Sequence, residues 1–209
     1  MAIRLALSCR INRLSTQIML FLILGCLRLS SGQTLEYDVS INEHPSGTSQ
    51  ITKTLNSDGS FKTRLNLLID AHMLVHIQMH FEGYALTKEG VLQKSEVSVH
   101  NNGHLHSHTS TVLENGSYTI LKDKKEISPP SGNIGLTGYD LYFGPPTHTR
   151  EIYSLSNGSM EVAKEIDSRT FEIMDSNNQK SVYKYNENGI AHYVKISHKL
   201  YDIEFKLKE

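Results

Sequence analysis

The sequence predicts an all-β protein in which one large antiparallel sheet curves into an open or half-closed barrel. Apolar and polar residues alternate with a period of two in several separate runs, and Asn, Asp and Gly interrupt the chain between those runs. Successive side chains of a strand point to opposite faces, so each run has one apolar face and one polar face. This pattern is typical of an antiparallel sheet that is solvated on one side.

The alternating runs lie at both ends of the chain as well as within it. Each run of four apolar positions is long enough for one strand of ordinary length. The apolar positions of three runs are Leu35, Tyr37, Val39 and Ile41; Phe61, Leu65, Leu67 and Ile69; and Tyr201, Ile203, Phe205 and Leu207.

Between the runs, Asn-Gly and Asp-Gly pairs indicate tight chain reversals. These residues tolerate the positive φ that short hairpins require. Their spacing predicts about a dozen strands in a meander. The pairs are Asp58-Gly59, Asn102-Gly103, Asn115-Gly116, Asn157-Gly158 and Asn188-Gly189.

One long connection, from Ser128 to Pro146, is rich in Pro and Gly. Proline cannot donate a hydrogen bond to a sheet ladder, so this stretch is not a central strand. The sequence from Tyr139 to Phe143 leaves room for a short helical turn within it. Because neither half of the chain looks self-sufficient, we predict a single antiparallel β domain over residues 33–209.

Residues 1–32 have the pattern of a cleaved N-terminal signal peptide. Three arginines precede an apolar run at residues 18–27, and Ser30-Ser31-Gly32 supplies small residues for cleavage. We therefore predict an exported protein, periplasmic or secreted. The apolar run has 10 residues, whereas a membrane-spanning helix needs about 20. No membrane span is expected after the leader is removed.

Both cysteines, Cys9 and Cys26, lie in this leader. Its removal leaves a domain without a disulfide or a cysteine metal site. An alternative stays open, because the stretch from Ile23 to Cys26 resembles a bacterial lipobox, in which Cys26 would carry a lipid anchor. The other interpretation is an ordinary apolar leader that contains a cysteine.

The charge balance argues against nucleic acid as a partner. The whole chain has a formal net charge of −1, and loss of the four leader arginines changes this to −5. Affinity for nucleic acid depends on neutralising phosphates with Lys and Arg. A mildly acidic domain without a basic run is poorly suited to that role.

Three stretches resemble a known family. The domain opens with Glu36-Tyr37-Asp38-Val39 and Gly47-Thr48-Ser49, continues with Tyr139-Asp140-Leu141-Tyr142-Phe143-Gly144-Pro145-Pro146, and nears its end with Tyr185-Asn186-Glu187-Asn188-Gly189-Ile190. Together they resemble a family of exported bacterial β proteins, a domain of unknown function. The resemblance implies a large curved sheet, similar to the half-barrels of lipoprotein carriers, and a bacterial envelope location. It implies no catalytic residues.

Histidine is the one unusual residue type, and all 11 histidines follow the leader. His104, His106 and His108 lie at i, i+2 and i+4, so all three are expected to project from one face of a strand. His76 and His80 share a face in the same way. If the two strands pair, five imidazoles could converge as ligands of a Zn or Cu ion.

The alternative interpretation of these histidines is a solvated polar face. Ile77, Met79 and Phe81 form the apolar face of their segment, so His76 and His80 occupy positions that any hydrophilic residue could fill. Neighbours on one face of a strand are about 6.5–7 Å apart. A metal site would need cross-strand partners that the sequence does not identify. No cofactor is predicted.

A surface that binds an apolar ligand is a better-motivated hypothesis than a metal site. Tyr139, Tyr142 and Phe143 cluster on the long connection, and His192 shares parity with apolar neighbours and is expected to point inward. These residues could line an apolar groove within the curved sheet, which would hold a hydrophobic small molecule or lipid. Alternatively, the aromatic side chains close the open end of the sheet as part of the core.

Signatures of catalysis are lacking. The sequence has no Gly-x-Ser-x-Gly elbow, no His-Glu-x-x-His motif and no phosphate-binding loop. Glu161, Glu165 and Asp167 lie near one another, and we expect them to face solvent.

The leading hypothesis is a non-catalytic envelope protein that binds a hydrophobic ligand. The alternatives are a metal-dependent enzyme that uses the His-rich strands, and a structural or interaction protein of the envelope.

Overall fold

The computed structural model describes residues 32–72, 76–146, 150–175 and 178–209. Residues 1–31, which hold Cys9, Cys26 and nearly all of the predicted leader, lie outside this part. The described residues belong to one compact unit, Gly32–Glu209. They form fourteen strands and one short 3-10 helix.

The strands follow one another along the chain with short turns. Their bounds are β1 Gly32–Ile41, β2 His44–Leu55, β3 Phe61–His72, β4 His76–Lys88, β5 Val91–Asn101, β6 His104–Glu114, β7 Ser117–Lys122, β8 Lys125–Ile127, β9 Glu151–Ser154, β10 Ser159–Asp167, β11 Thr170–Met174, β12 Lys180–Tyr185, β13 Ala191–Ser197 and β14 Asp202–Leu207.

All fourteen strands belong to one sheet, in the order β8-β7-β6-β5-β4-β3-β2-β1-β14-β13-β12-β11-β10-β9, and every neighbouring pair is antiparallel. The first and last strands pair in the middle of the sheet, with Tyr37 opposite Leu207 and Ile41 opposite Ile203. Within the described residues, β8 and β9 are edges that do not pair with each other. The predicted all-β fold with an open, curved antiparallel sheet is confirmed.

The core lies on the concave face, where the predicted alternation places apolar side chains. In β3, for example, Leu67 is 7% exposed and faces the core, whereas its neighbour Leu68 is 50% exposed on the outer face. The same alternation buries Tyr37, Val39 and Ile41 in β1 and Ile203 and Phe205 in β14. One face of the sheet therefore encloses the interior, and the other is convex and polar.

Side chains hold the two ends of the sheet near each other. The Thr111 hydroxyl in β6 lies 2.8 Å from the Tyr153 hydroxyl in β9. The Thr109 hydroxyl donates to the Ser156 carbonyl oxygen at 2.8 Å. Because all four groups are at least partly buried, these bonds are worth more than they would be in water. They explain how a sheet without backbone closure still adopts a barrel-like shape.

The long connection between β8 and β9 crosses the interior. Its short helix, Asp140–Tyr142, agrees with the helical turn expected there. The Leu92 amide donates to the Ile134 carbonyl oxygen at 2.9 Å, and the Tyr153 amide donates to the Leu136 carbonyl oxygen at 2.8 Å. The connection is thus bonded to β5 in one half of the sheet and to the edge strand β9 in the other.

The helical turn is fixed by a charged residue and by close packing. The Asp140 carboxylate accepts from the Thr137 hydroxyl at 2.8 Å and lies 3.0 Å from the Lys53 ammonium of β2. Opposite the turn, β4 carries Gly83, where a Cβ would lie 2.5 Å from the Tyr139 hydroxyl oxygen. The glycine allows the connection to pack directly on the sheet.

Two β-bulges interrupt the alternation of side chains between the two faces of the sheet, one at His192 and one at His106. In the pairing of β12 with β13, Lys184 lies opposite Tyr193 and Tyr185 opposite Ala191, so His192 is an extra residue. In the pairing of β5 with β6, Val99 lies opposite Ser107 and His100 opposite Leu105, so His106 is extra. A bulge leaves one residue unpaired and re-aims its side chain.

Candidate functional site

A cleft of about 460 Å³ lies on the concave side of the sheet. Its apolar wall is built by both halves of the sheet and by the connection, because each strand turns its core-facing side chains toward it. The apolar lining comprises Leu65, Leu67, Met79, Phe81 and Val99 from β3 to β5, Leu141 from the helical turn, and Ile173, Ile196, Ile203 and Phe205 from β11, β13 and β14.

Polar groups lie together in one part of this cleft. They come mainly from the β9–β10 turn and from the ends of β11 and β12, and they include Glu161, Asp175, Asn157, Gln179 and Ser181. The Asn157 amide donates to the Glu161 carboxylate at 3.3 Å. The Gln179 backbone amide donates to the Asp175 carboxylate at 2.7 Å. The cleft therefore combines an apolar body with a locally acidic region.

Burial makes Glu161 the most perturbed carboxyl group of the cleft. Removal from solvent raises the pKa of Glu161, and the nearby Asp175 carboxylate adds to the rise. Hydrogen bonds from the Ser154 and Asn157 side chains oppose it. The net upward shift of the pKa means that the charged form is disfavoured unless a cation or a donor approaches.

Our expectation that Glu161 faces solvent is wrong, whereas Glu165 and Asp167 are indeed exposed. Glu161 shares its strand parity with Ala163, which is buried. The signal was present in the sequence, because Glu161 and Ala163 are two residues apart and must lie on one face of β10. A single alanine is, however, a weak marker of a core face.

Two buried tyrosines, Tyr142 and Tyr183, line the cleft, and Tyr37 packs against Tyr142 in the core behind them. The Tyr142 ring makes edge-to-face contacts with Tyr37 at 5.4 Å and with Tyr183 at 6.0 Å between centroids. Burial raises the pKa of all three phenols. They are therefore neutral at physiological pH, and they contribute aromatic surface to the core and to the cleft wall.

The residues predicted to bind a ligand are only partly brought together. Tyr139 and Tyr142 are buried and line the cleft. Phe143 is half-buried against the core, with the Lys53 ammonium 5.6 Å from its ring centroid, and is not part of the cleft lining. The inward orientation expected for His192 is wrong, because the bulge in β13 leaves this residue exposed.

The five histidines proposed as metal ligands do not gather at one point. β5 lies between β4, which carries His76 and His80, and β6, which carries the other three. The shared face expected for His104, His106 and His108 is also wrong. The bulge turns His106 into the cleft, whereas His108 lies 3.2 Å from Glu96 on the outer face.

Two other groups of potential ligands occur on the outer face. One is Asp70, His72 and His76, and the other is His80, Glu82 and His100. Each combines a predicted histidine with residues that the sequence did not indicate. Those partners come from the register of β3, β4 and β5, which the sequence leaves undetermined.

The shifted pKa of Glu161 leads to a first testable prediction. A carboxyl with a raised folded-state pKa binds its proton more tightly in the folded chain, so stability falls as the pH rises from its unfolded pKa through its folded pKa. Glu161→Gln, which cannot ionise, should therefore be more stable than the wild type at pH 7–8. At pH 3 the two proteins should have the same free energy of unfolding. Urea unfolding at both pH values measures it.

Glu165→Gln is the matched control, because Glu165 is exposed on the same strand. It should leave stability within about 0.5 kcal/mol of the wild type at both pH values. A Glu161→Gln variant that is less stable than the wild type at pH 7–8 would show that the ionised carboxylate is favourable in the fold, contrary to this account.

Comparison with known proteins is consistent with this architecture. The family DUF6134, described as a domain of unknown function, matches residues 37–208. The crystal structure of a β-barrel-like protein of another domain of unknown function, DUF1849, from Brucella abortus covers 88% of this chain and 98% of its own, with a TM-score of 0.53 and 10% identity. No curated protein matches the chain.

The structural likeness supports the fold alone, since the identity is low. In the part of the chain that the structure describes, no helix has the length and apolar character needed to cross a membrane. The family match covers most of the chain and agrees with the resemblance in the sequence motifs. The chain belongs to the DUF6134 family, a domain of unknown function with a β-barrel-like fold.

Proposed function

We propose that this protein is a non-catalytic binding protein that holds a hydrophobic small molecule or lipid in its concave cleft. The observation that carries the proposal is a cleft of about 460 Å³ on the concave side of the sheet, lined largely by apolar side chains. Small-molecule sites typically have volumes of about 300–1,000 Å³ and a mostly apolar lining.

The lining also indicates the polarity of the ligand. Leu65, Leu67 and Phe81 offer an apolar wall, whereas Glu161 and Asp175 place two carboxyl groups in one part of the cleft. Two carboxyl groups side by side favour a ligand group that donates hydrogen bonds or carries positive charge. We infer a ligand with an apolar body and a hydrogen-bond-donating or cationic head.

The predicted leader suggests where this binding takes place. We propose that the domain acts in the bacterial envelope, either soluble in the periplasm or secreted, with an anchor through Cys26 as the alternative. A carrier of this kind would shield an apolar molecule from water during transfer. The cleft supports this role because it is lined by strands from both halves of the sheet and therefore depends on the whole fold.

Fluorescence titration with N-phenyl-1-naphthylamine tests the proposal, because this dye has an apolar body and one N–H donor. The dye should bind the wild type with enhanced emission. Val99→Phe adds bulk within the cleft and should weaken binding about 10-fold, equivalent to about 1.4 kcal/mol. The dissociation constants of the variants are compared in the same buffer at known protein concentrations.

Val162→Phe is the matched control, because Val162 is 57% exposed and does not line the cleft. It should bind the dye as the wild type does. Circular dichroism shows whether each variant is folded. Equal binding by the wild type and by a folded Val99→Phe variant would rule out the cleft as the site, and so would the absence of binding by the wild type.

A further inference from the structure

We infer that His80, Glu82 and His100 form a binding site for a divalent transition-metal ion on the convex face of the sheet. This inference is independent of the cleft, which lies on the opposite face. His80 and Glu82 are two residues apart on β4, so they share a face. His100 lies directly opposite His80 on β5. The three side chains are therefore fixed to adjacent positions by the sheet backbone.

The distances suit a metal site that needs small side-chain adjustments. One potential ligand atom from each residue lies within 4.8 Å of the other two. The imidazole rings of His80 and His100 stack at 6.2 Å between centroids with an angle of 29°. Bonds of about 2.0–2.2 Å to a tetrahedral zinc ion place ligand atoms roughly 3.3–3.6 Å apart. Rotations of the three side chains can shorten the distances between their ligand atoms to this range without movement of the strands.

Both imidazoles offer a nitrogen suited to a metal. The His80 Nε2 lies 3.0 Å from the side-chain oxygen Oδ1 of Asn66, which can only accept, so Nε2 carries the hydrogen and donates in this bond. The lone pair of His80 is then on Nδ1. An outer hydrogen bond of this kind fixes the tautomer of metal-bound histidines. Asn66 is therefore a positioning residue in this site.

The second imidazole provides an independent observation. The His100 Nδ1 is buried and has no hydrogen-bond partner within the described structure. A buried polar atom without a partner is costly, and native proteins seldom retain one without a reason. Coordination of an ion would satisfy this atom.

The donor set determines the class of ion. Two imidazole nitrogens and one carboxylate oxygen suit Zn²⁺, Cu²⁺ or Ni²⁺, whereas Ca²⁺ and Mg²⁺ prefer oxygen ligands throughout. The fourth position of a tetrahedral ion would remain for water. The convex groove around this group also includes Asp70, Gln78 and Thr48, so the site is open to solvent.

The neighbouring group of Asp70, His72 and His76 is a weaker candidate. All three residues are exposed. The Asp70 carboxylate already lies 2.6 Å from the His76 Nε2, and the rings of His72 and His76 stack at 4.0 Å. The Asp70 carboxylate is thus already engaged by a histidine, and none of the three residues has a buried atom without a partner, so this group supplies a matched comparison.

Isothermal titration of the metal-stripped full chain with ZnCl₂ tests the inference. The wild type should bind one ion at the high-affinity site, and MgCl₂ should give no binding. His100→Ala should weaken Zn²⁺ binding by about 100-fold or more, and Asn66→Ala by about 10-fold, as outer-shell substitutions do. His72→Ala should leave the affinity within about 3-fold of the wild type.

Glu82→Gln is the second ligand variant, because this exposed residue can be changed without loss of the fold. It should also weaken binding, and Zn²⁺ should raise the melting temperature of the wild type but not of Glu82→Gln. A loss of affinity in His72→Ala but not in His100→Ala would assign the ion to the other group. That result, or the absence of Zn²⁺ binding by the wild type, overturns the inference.

Discussion

Leu141→Ala should lower the free energy of unfolding by about 2–5 kcal/mol, the range for truncation of a buried leucine. Leu141 is 1% exposed and lies on the helical turn of the long connection. Its side chain packs within the cleft wall, between the connection and the sheet. Its loss creates a cavity that the strands cannot close, because their backbone positions are fixed by hydrogen bonds to neighbouring strands.

Urea unfolding measures this change, provided that the slope of the free energy against urea remains constant. Leu105→Ala is the matched control, since Leu105 is 58% exposed on β6, and it should change stability by less than about 0.5 kcal/mol. Equal effects of the two substitutions would mean that the connection is only a surface loop.

Gly47→Ala should destabilise the fold by about 3 kcal/mol, the upper end of the usual cost of overpacking. A Cβ at this position would overlap the carbonyl oxygen of Leu68 and would lie 3.0 Å from the Cα of Ile69. Both atoms belong to the backbone of β3, which pairs with β2 at this point. Relief of the overlap would require the two strands to separate and lose ladder hydrogen bonds.

Gly144→Ala serves as the control for Gly47→Ala, because a Cβ there meets no atom within 4 Å. It should change the unfolding free energy by less than about 0.5 kcal/mol. The comparison separates the overlap at β3 from the general effect of replacing a glycine. A Gly47→Ala variant as stable as Gly144→Ala would contradict the close approach of the two strands.

The local structure of most strands could be predicted from the sequence, because the period of two is a direct consequence of strand geometry. Leu35, Tyr37 and Val39 are buried as their alternation requires. Asn102, like several other residues at predicted reversals, has a positive φ. Each of these features depends on residues that are close together in the chain, so the sequence contains the information.

The bulges could not be predicted, and they account for the errors at the histidines. An extra residue in one strand shifts the parity of its neighbours. In β13 it separates His192 from the buried Ala191 and Val194, and in β6 it turns His106 away from the face that holds His108. The position of a bulge depends on pairing across strands, which a single sequence does not specify.

The set of residues that line the cleft could not be predicted from the sequence either, for a different reason. Val99 and Ile173 come from strands that are far apart in the chain and on opposite sides of the sheet centre. Their proximity depends on the pairing of β1 with β14 and on the curvature of the whole sheet. The aromatic residues of the connection were a partial signal, since Tyr139 and Tyr142 both close the core and line the cleft.

The most direct test of ligand binding in the concave cleft is a methyl NMR titration of the protein with N-phenyl-1-naphthylamine. Leu67 and Leu68 are adjacent in β3 but lie on opposite faces, and only Leu67 lines the cleft. The account predicts shifts at the methyl groups of Leu67, Met79 and Ile173, with Leu68 unchanged. Shifts at Leu68 with none at Leu67 would place the ligand on the convex face and would contradict the account.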